Sequence, residues 1–326
     1  MRPLLAEGAD DAFVDAASRA LRAGDGGDPL TSLGWWDLLT ELADLTARQA
    51  ALALFRAQGR ELADSAALGA LMAQPFLDLT GLSPGKLVAA IPRRSARRGE
   101  RLVVVGDVAG RSLLIDRPGH GADVVAADEV ELRTVAVAGR LTIREIDREP
   151  PAAVPAVPED RAAPARARGR FLGRIAAALE ILGAAEAGLL LAAEHAAARE
   201  QFGRPIGTFQ AVRHLLAWAL TDLAAVDGVT ATAVRLDGDT PPRHDQVVKA
   251  LAGRNGRRVC QRTLQVLGAI GFTAEHDHHH FHSRVLALDA LLGTSTELTH
   301  GLGTWVRETR TDPALPAAAL LRRWDS

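Results

Sequence analysis

The chain has 326 residues, enough for one large domain or two to three small ones. A hydrophobic content of 48% and a charged content of 24% are those of an ordinary soluble globular protein. The net charge of -2 gives no electrostatic reason to expect nucleic acid or an anionic membrane as a partner. Cys260 is the only cysteine, which excludes an intrachain disulfide and makes a reduced, cytoplasmic setting the expectation. The first residues, Met1 to Glu7, reach an acidic side chain before any long apolar run, so no secretory signal is expected. The most apolar stretch, Ile175 to Ala193, is interrupted by Glu180 and Glu186 and reads as a buried helix, not a membrane span.

Residues 1–82 read as a helical domain. Phe13, Ala16, Ala17 and Leu21 fall at helical spacing, and so do Leu38, Leu39, Leu42 and Leu45. Gly24 to Pro29 reads as a loop, and Trp35 and Trp36 as packing residues. The period changes over residues 83–148. Leu102–Val105, Ser112–Asp116, Val124–Val125, Val130–Val137 and Leu141–Ile143 are short runs separated by Gly, Pro or Asp, which predict a small antiparallel β-domain. Within it, Pro92-Arg93-Arg94-Ser95-Ala96-Arg97-Arg98 reads as a solvated loop. Residues 149–168 read as a linker broken by Pro150, Pro151, Pro155, Pro158 and Pro164. Residues 169–326 read as a four-helix bundle with helices at Phe171–Ala198, Phe209–Leu236, Asp245–Leu267 and from Asp277 to about Gly303. Asp237-Gly238-Asp239-Thr240-Pro241-Pro242 stops the second helix, and Asp277 is the expected N-cap of the fourth.

Two strings carry chemistry. Arg199-Glu200-Gln201-Phe202-Gly203-Arg204-Pro205-Ile206-Gly207-Thr208-Phe209-Gln210 lies between the first two bundle helices. Arg199 offers a guanidinium fork for phosphate or carboxylate, Phe202 a flat face, and Gln210 an amide for a polar ring edge. Taken alone, the string is equally a helix–helix turn with a surface arginine. Gln265-Val266-Leu267-Gly268-Ala269-Ile270-Gly271-Phe272 follows the third helix. Its glycines allow a ligand to approach the backbone, and Gln265 can hold a phosphate oxygen. Taken alone, it is a weak signal that reads first as a glycine C-cap with an apolar contact.

In this order, and about sixty residues apart, the two strings resemble the signature of the acyl-CoA dehydrogenase family. Thr273-Ala274-Glu275-His276-Asp277 resembles the segment that follows it there. The resemblance covers about residues 165–300. It implies an N-terminal helical domain, a central β-domain and a C-terminal four-helix bundle. In that family the bundle binds the adenine and pyrophosphate end of an FAD held mainly by a neighbouring subunit. The resemblance therefore implies that Arg199, Gln201, Phe202 and Gln210 face that FAD, and that Gln265, Gly268 and Ala269 lie at its pyrophosphate. Ala269 stands where the family usually has a second glycine, and Leu267 replaces a common histidine. Thr294, in Gly293-Thr294-Ser295, completes the cofactor-binding candidates.

The family's catalytic machinery is not matched. The usual glutamate base precedes the Gly-Thr-Ser string, where this chain has Leu292. The other known location, twenty-six residues before Arg199, is Gly173. Neither can take a proton. Glu180 and Glu297 are the alternative carboxylates. The Thr-Glu-Pro…Gly-Ser-Asp loop and the Trp-Ile/Val-Thr strand that cradle the isoalloxazine have no counterpart between residues 80 and 150.

The resemblance is thus to the degenerate subunit of α2β2 heterotetrameric, steroid-catabolic acyl-CoA dehydrogenases. It implies a catalytic partner subunit, an acyl-CoA substrate and electron-transfer flavoprotein as acceptor. The alternatives are a self-sufficient homo-oligomeric dehydrogenase and a flavin-free scaffold. No metal is expected from His276, His278, His279, His280 and His282, because no Cys or Glu with metal-site spacing supports them. Cys260 reads as a small buried residue, and Asp222 and Asp227 as surface or interhelical partners.

Overall fold

The computed structural model describes residues 9–23, 29–95, 99–147 and 155–309. The N-terminal part holds helices α1 (Ala9–Ala23), α2 (Pro29–Ser32), α3 (Trp35–Leu38), α4 (Leu45–Glu61), α5 (Ala67–Ala73) and α6 (Leu77–Thr80). The helix anticipated through Leu38, Leu39, Leu42 and Leu45 does not form. α3 stops at Leu38, and α4 starts afresh where the Asp44 carboxylate accepts from the Ala47 N–H at 2.9 Å. Arg48 donates to the Leu42 and Ala43 carbonyls, so the broken segment keeps its polar groups satisfied. Trp35 is fully buried, donates to the Ala51 carbonyl and packs edge-on to Trp36 and Phe55. Of the expected Gly24–Pro29 loop, residues 24–28 lie outside the described residues, and Pro29 opens α2.

Eight strands follow: β1 (Leu87–Ala89), β2 (Ile91–Ser95), β3 (Gly99–Val105), β4 (Ser112–Arg117), β5 (Gly121–Ala126), β6 (Leu132–Ala138), β7 (Leu141–Ile146) and β8 (Val157–Pro158). They form two four-stranded sheets, ordered β1-β4-β5-β8 and β2-β3-β7-β6. Val88, Val104, Leu113, Ile115 and Ile146 belong to one buried cluster that draws on both sheets. Two expectations change here. The sheets are not wholly antiparallel, because β1 pairs with β4 in parallel. Pro92-Arg93-Arg94-Ser95 is strand rather than loop, with Ile91 opposite Val103 and Arg93 opposite Arg101. Residues 96–98 lie outside the described residues.

The C-terminal part holds α7 (Glu159–Ala198), a small ribbon of β9 (Glu200–Gln201) and β10 (Arg204–Pro205), then α8 (Gln210–Leu236), α9 (His244–Leu267), α10 (His278–Asp289) and α11 (Ser295–Thr309). α7 begins twelve residues earlier than anticipated, so Pro164 lies inside it and most of the described part of the expected linker is helix or strand. A proline in the second turn removes one intrahelical N–H, which the remaining 34 residues of the helix offset. The fourth bundle helix is two helices. Asp277 lies at the start of α10 without a side-chain cap bond, and residues 290–294 break the run before α11.

At 40 residues, α7 is about 60 Å long and packs against α4, α5, α8, α9, α10 and the β5 side of one sheet. Its crossing with α4 is a backbone contact. A Cβ on Gly59 would meet the Glu180 carbonyl oxygen at 2.1 Å, and one on Gly183 would meet the Arg56 carbonyl oxygen at 2.0 Å. Both positions therefore require glycine. Arg284 on α10 is fully buried and joins three parts of the chain. It pairs with Glu180 of α7 and donates to the carbonyls of Gly139, in the β6–β7 turn, and Ala63, between α4 and α5. Burial pushes the Glu180 carboxyl above the usual range while Arg284 pulls it down.

Candidate functional site

The two motif strings meet at one end of the bundle. α7 ends at Ala198, and the chain turns through a two-residue ribbon in which Arg204 faces Gln201 and Pro205 faces Glu200. Phe202 and Gly203 take the turn with φ of 53° and 76°, the left-handed pair that a tight hairpin requires. The turn drives Phe202 outward to 92% exposure, and its ring lies edge-on to Phe209. The Arg204 guanidinium stacks over Phe209 at 4.4 Å. The Arg199 N–H closes α7 on the His195 carbonyl, and the Arg199 carbonyl accepts from Ile206. Gln210 opens α8.

The second string ends α9 at Leu267, where Gly268 takes φ 65° and nothing lies within 4 Å of the space a Cβ would fill. Residues Gly268–Phe272 then form a 3-10 turn. Ala192, Ala196, Val266 and Leu267 make a small buried cluster, against which Ile206, Val212, Leu215 and Leu216 pack. This cluster fastens the first string to the second. Arg199, Gln201, Phe202, Gln210, Gln265 and Ala269 are exposed around it. Phe272 at 77% and Ile270 at 43% add exposed apolar surface on the second string, and Trp218 at 58% on α8, none of which the sequence pattern singles out for binding.

Thr294 is not part of this group. It lies on the segment reached by Lys249, whose Nζ donates to the Gly293 carbonyl at 3.3 Å. Sixteen residues of one helix, about 24 Å, separate Lys249 from Gln265. Thr294 instead starts α11. Its N–H and hydroxyl donate to the Glu297 carboxylate, and the Glu297 N–H donates back to its hydroxyl. This is a capping box, and Thr294-Ser295-Thr296-Glu297 carried its signature in the sequence.

The segment around Leu292 is held from several sides. Leu292 N–H donates to the Pro92 carbonyl, and Arg94 N–H donates to the Ala290 carbonyl, both at 2.9 Å. Arg174 donates to the Leu292 carbonyl at 3.1 Å and to Asp245 at 2.7 Å. Lys249 is fully buried beneath it, and burial pushes its ammonium down to about 8. Leu292 itself is buried, with φ 59°. Gly173 lies beside it: a Cβ there would meet the Met72 side chain at 2.7 Å and Leu292 Cδ1 at 3.0 Å. The two positions where the resemblance implies a base are thus neighbours, and apolar side chains fill the space between them. The alternative carboxylates are committed elsewhere. Glu180 is buried against Arg284, and Glu297 caps α11 and pairs with exposed Arg94.

Among the described residues no group of three or more His, Cys, Asp and Glu side chains is placed to hold a metal ion. His278 is buried with its Nε2 2.7 Å from the Thr263 hydroxyl, and burial with neighbouring histidines pushes it down to about 4. Cys260 is buried. Asp222 pairs with Arg262 of α9 and Asp227 with Arg56 of α4, so both bridge helices.

A helical layer, a central β-domain and a helical bundle whose paired motifs sit at one end make up the architecture to be compared with known proteins. Residues 171–300 match the acyl-CoA dehydrogenase C-terminal domain, and the chain as a whole has the acyl-CoA dehydrogenase fold. FadE34, an acyl-CoA dehydrogenase of Mycobacterium tuberculosis, is 29% identical over 96% of this chain and 38% of its own length. IpdE2, an acyl-CoA dehydrogenase of the same organism, is 34% identical over 40% of each chain. The chain therefore spans well under half the length of these relatives. Among solved structures, the Tcur3481-Tcur3483 steroid acyl-CoA dehydrogenase variant aligns with a TM-score of 0.67 at 23% identity, covering 92% of this chain and 96% of that one. The ChsE4-ChsE5 complex from Mycobacterium tuberculosis aligns at 0.68 and 21%, covering 96% and 100%. A glutaryl-coenzyme A dehydrogenase bound to glutaryl-CoA aligns at 0.73 and 15%, covering 97% and 98%.

Proposed function

We propose that this chain is the non-catalytic subunit of a heteromeric, FAD-dependent acyl-CoA dehydrogenase. It supplies the adenine and diphosphate half of a partner's FAD site, and the partner supplies the base. One observation carries this reading: Gly173, Leu292 and Met72 fill the space where a base would stand, while the two motif strings are clustered and exposed. The residues at the bundle end fit the adenosine diphosphate end of FAD. They offer a guanidinium (Arg199), amides (Gln201, Gln210, Gln265), an exposed ring (Phe202) and open backbone at Gly268. They would hold the cofactor and exclude water from its diphosphate.

The bound flavin would accept the hydride from the acyl β-carbon. The proton at the α-carbon would go to a carboxylate on the partner, because neither expected position on this chain carries one. The steroid dehydrogenase and the two-component complex among the aligned structures support a heteromer acting on a steroid-derived CoA ester. Electron-transfer flavoprotein would be the acceptor, and the cytoplasm the compartment.

The test is co-expression with an acyl-CoA dehydrogenase chain encoded beside it that keeps the glutamate. The expected product is a yellow complex with one flavin per pair, and this chain purified alone is colourless. A yellow, active homomer would overturn the reading.

A further inference from the structure

The outward face of α8 lies beyond the motif residues at its start, and nothing in this chain covers it. The most apolar 18-residue stretch of α8 is only 22% buried, against 72% for that of α7. From His214 to Ala231 no exposed residue is Asp, Glu, Lys or Arg. His214, Trp218, Thr221, Ala225 and Gly228 follow one another at steps of three or four, and half-buried Thr232 continues the stripe. It runs for about 27 Å. A solvated helix face of that length ordinarily carries charge, and a continuous uncharged one marks a contact surface.

Two features give the face its shape. Trp218 is exposed but flanked, with the Arg262 guanidinium 5.9 Å from its ring centre and the His214 ring at 6.1 Å. It is a large knob held in one orientation. One and a half turns past Thr221 lies Gly228, exposed, where a Cβ would meet nothing within 4 Å. Glycines inside α4, α7 and α9 mark close crossings: Gly59 and Gly183 do so between α4 and α7, and a Cβ on Gly256 of α9 would meet Ile181 Cγ2 at 2.6 Å. Glycine in a helix interior is destabilising relative to alanine, and no neighbour in this chain accounts for Gly228. Gly301 and Gly303 of α11 are also open, but exposed Glu297, Arg307 and Glu308 lie on that helix, so it has no comparable uncharged face.

We propose that this face packs against the α8 of a second copy of this chain, antiparallel, about a twofold axis at Ala225. Trp218 lies seven residues before Ala225 and Thr232 seven after. In that pairing Trp218 enters the socket framed by Gly228, Ala231, Thr232 and Arg235 of the second copy, and the same contact recurs across the axis. A surface that carries both a knob and its socket is complementary to itself. The charges agree. Arg235, exposed and without an ion pair among the described residues, comes over the Trp218 ring. Exposed Arg213 at the start of one helix comes toward exposed Asp239 beyond the end of the other, and the two helix dipoles oppose. Asp222 and Asp227, the carboxylates within α8, already pair with Arg262 and Arg56, so closing the contact strands neither. In the proposed heteromer this contact joins two pairs through their non-catalytic chains. It does not depend on flavin binding at the Gln210 end.

The experiment is disulfide trapping of the full-length chain carrying Ala225→Cys, alone and co-expressed with its dehydrogenase partner, under mild oxidation. Cys260, the only native cysteine, is buried, so the new thiol reports alone. On a twofold axis at this position the two Cα atoms fall within the reach of a disulfide, about 7 Å. A covalent dimer of this chain is expected, and Thr299→Cys, exposed on α11, is expected to stay unlinked. No dimer, or a disulfide to the partner chain, overturns the inference. Gly228→Gln fills the socket and is expected to weaken self-association about tenfold or more by sedimentation, with no fall in the melting temperature of the chain. Unchanged self-association in that variant also overturns it. A complex that forms the covalent dimer yet holds no flavin leaves this inference standing and ends the half-site reading, so the two failures are distinguishable.

Discussion

A Cβ placed on Gly173 would lie 3.0 Å from Leu292 Cδ1. The two positions, 119 residues apart in the chain, are where the resemblance implies a base. Here they form one apolar contact closed over by Met72. A base at either position would have to displace packed side chains and bury a carboxylate, which costs several kcal/mol without a partner charge.

It follows that Leu292→Ala, Glu180→Gln and Glu297→Gln leave turnover of the two-chain complex within about threefold of wild type once the fold is intact. Steady-state dye reduction checks this. Loss of two or more orders of magnitude in kcat for either glutamine variant, with the fold unchanged, would place the base on this chain.

On the proposed half-site reading, Arg199→Ala removes a charge-assisted contact worth about 1.5–3 kcal/mol, so FAD affinity of the complex is expected to fall by about one to two orders of magnitude. Arg199 is exposed, so the melting temperature of the flavin-free protein stays within a degree or two. Fluorescence titration with FAD alongside calorimetry separates the two effects.

Much of this site was legible from local pattern. The tight turn at Phe202-Gly203 and the glycine end of α9 are set by residues within a few positions, so the strings could be placed on their elements. That both lie at one end is consistent with the short connections of an up-down bundle, in which α7 and α9 run the same way. What was not legible depends on distant partners. The break between α3 and α4 is maintained by Arg48 and Asp44, and leucines at helical spacing hide it. Pro92–Ser95 is polar enough to read as loop, yet it pairs with β3 and with residues 290–292. The start of α11 was available in Thr294–Glu297 but overshadowed by the helical run before it. The grouping of Thr294 with Arg199 came from resemblance, and no helical spacing could have tested it.

Gly59→Ala and Gly183→Ala both insert a methyl into a backbone contact between α4 and α7. Each is expected to lower stability by about 1–3 kcal/mol, and more where the helices cannot part. Urea midpoints at constant m-value read this directly.

Glu180→Gln or Arg284→Met leaves one partner of a fully buried pair alone and is expected to cost about 3–5 kcal/mol. The double variant Glu180→Gln/Arg284→Met should cost less than the sum, because neither charge is then stranded. Carbonyls at Gly139 and Ala63 lose a donor wherever Arg284 is replaced, so the double variant does not return fully to wild type.

His278 is held down to about 4, below the ordinary imidazole value, chiefly by burial. The unfolded chain therefore binds the proton more readily than the folded one. The stabilising contribution is complete above about pH 6.5 and is lost progressively as pH falls toward 4. Urea midpoints between pH 7.5 and 4.5 should fall for wild type, and the fall should be shallower for His278→Gln.

The most direct measurement of the central claim is the flavin content of this chain alone and with its dehydrogenase partner, with Arg199→Ala in parallel. The account predicts no bound FAD on the chain alone, one FAD per pair in the complex, and loss of that FAD in Arg199→Ala. A stoichiometric flavin on the isolated chain, together with acyl-CoA oxidation, would contradict it.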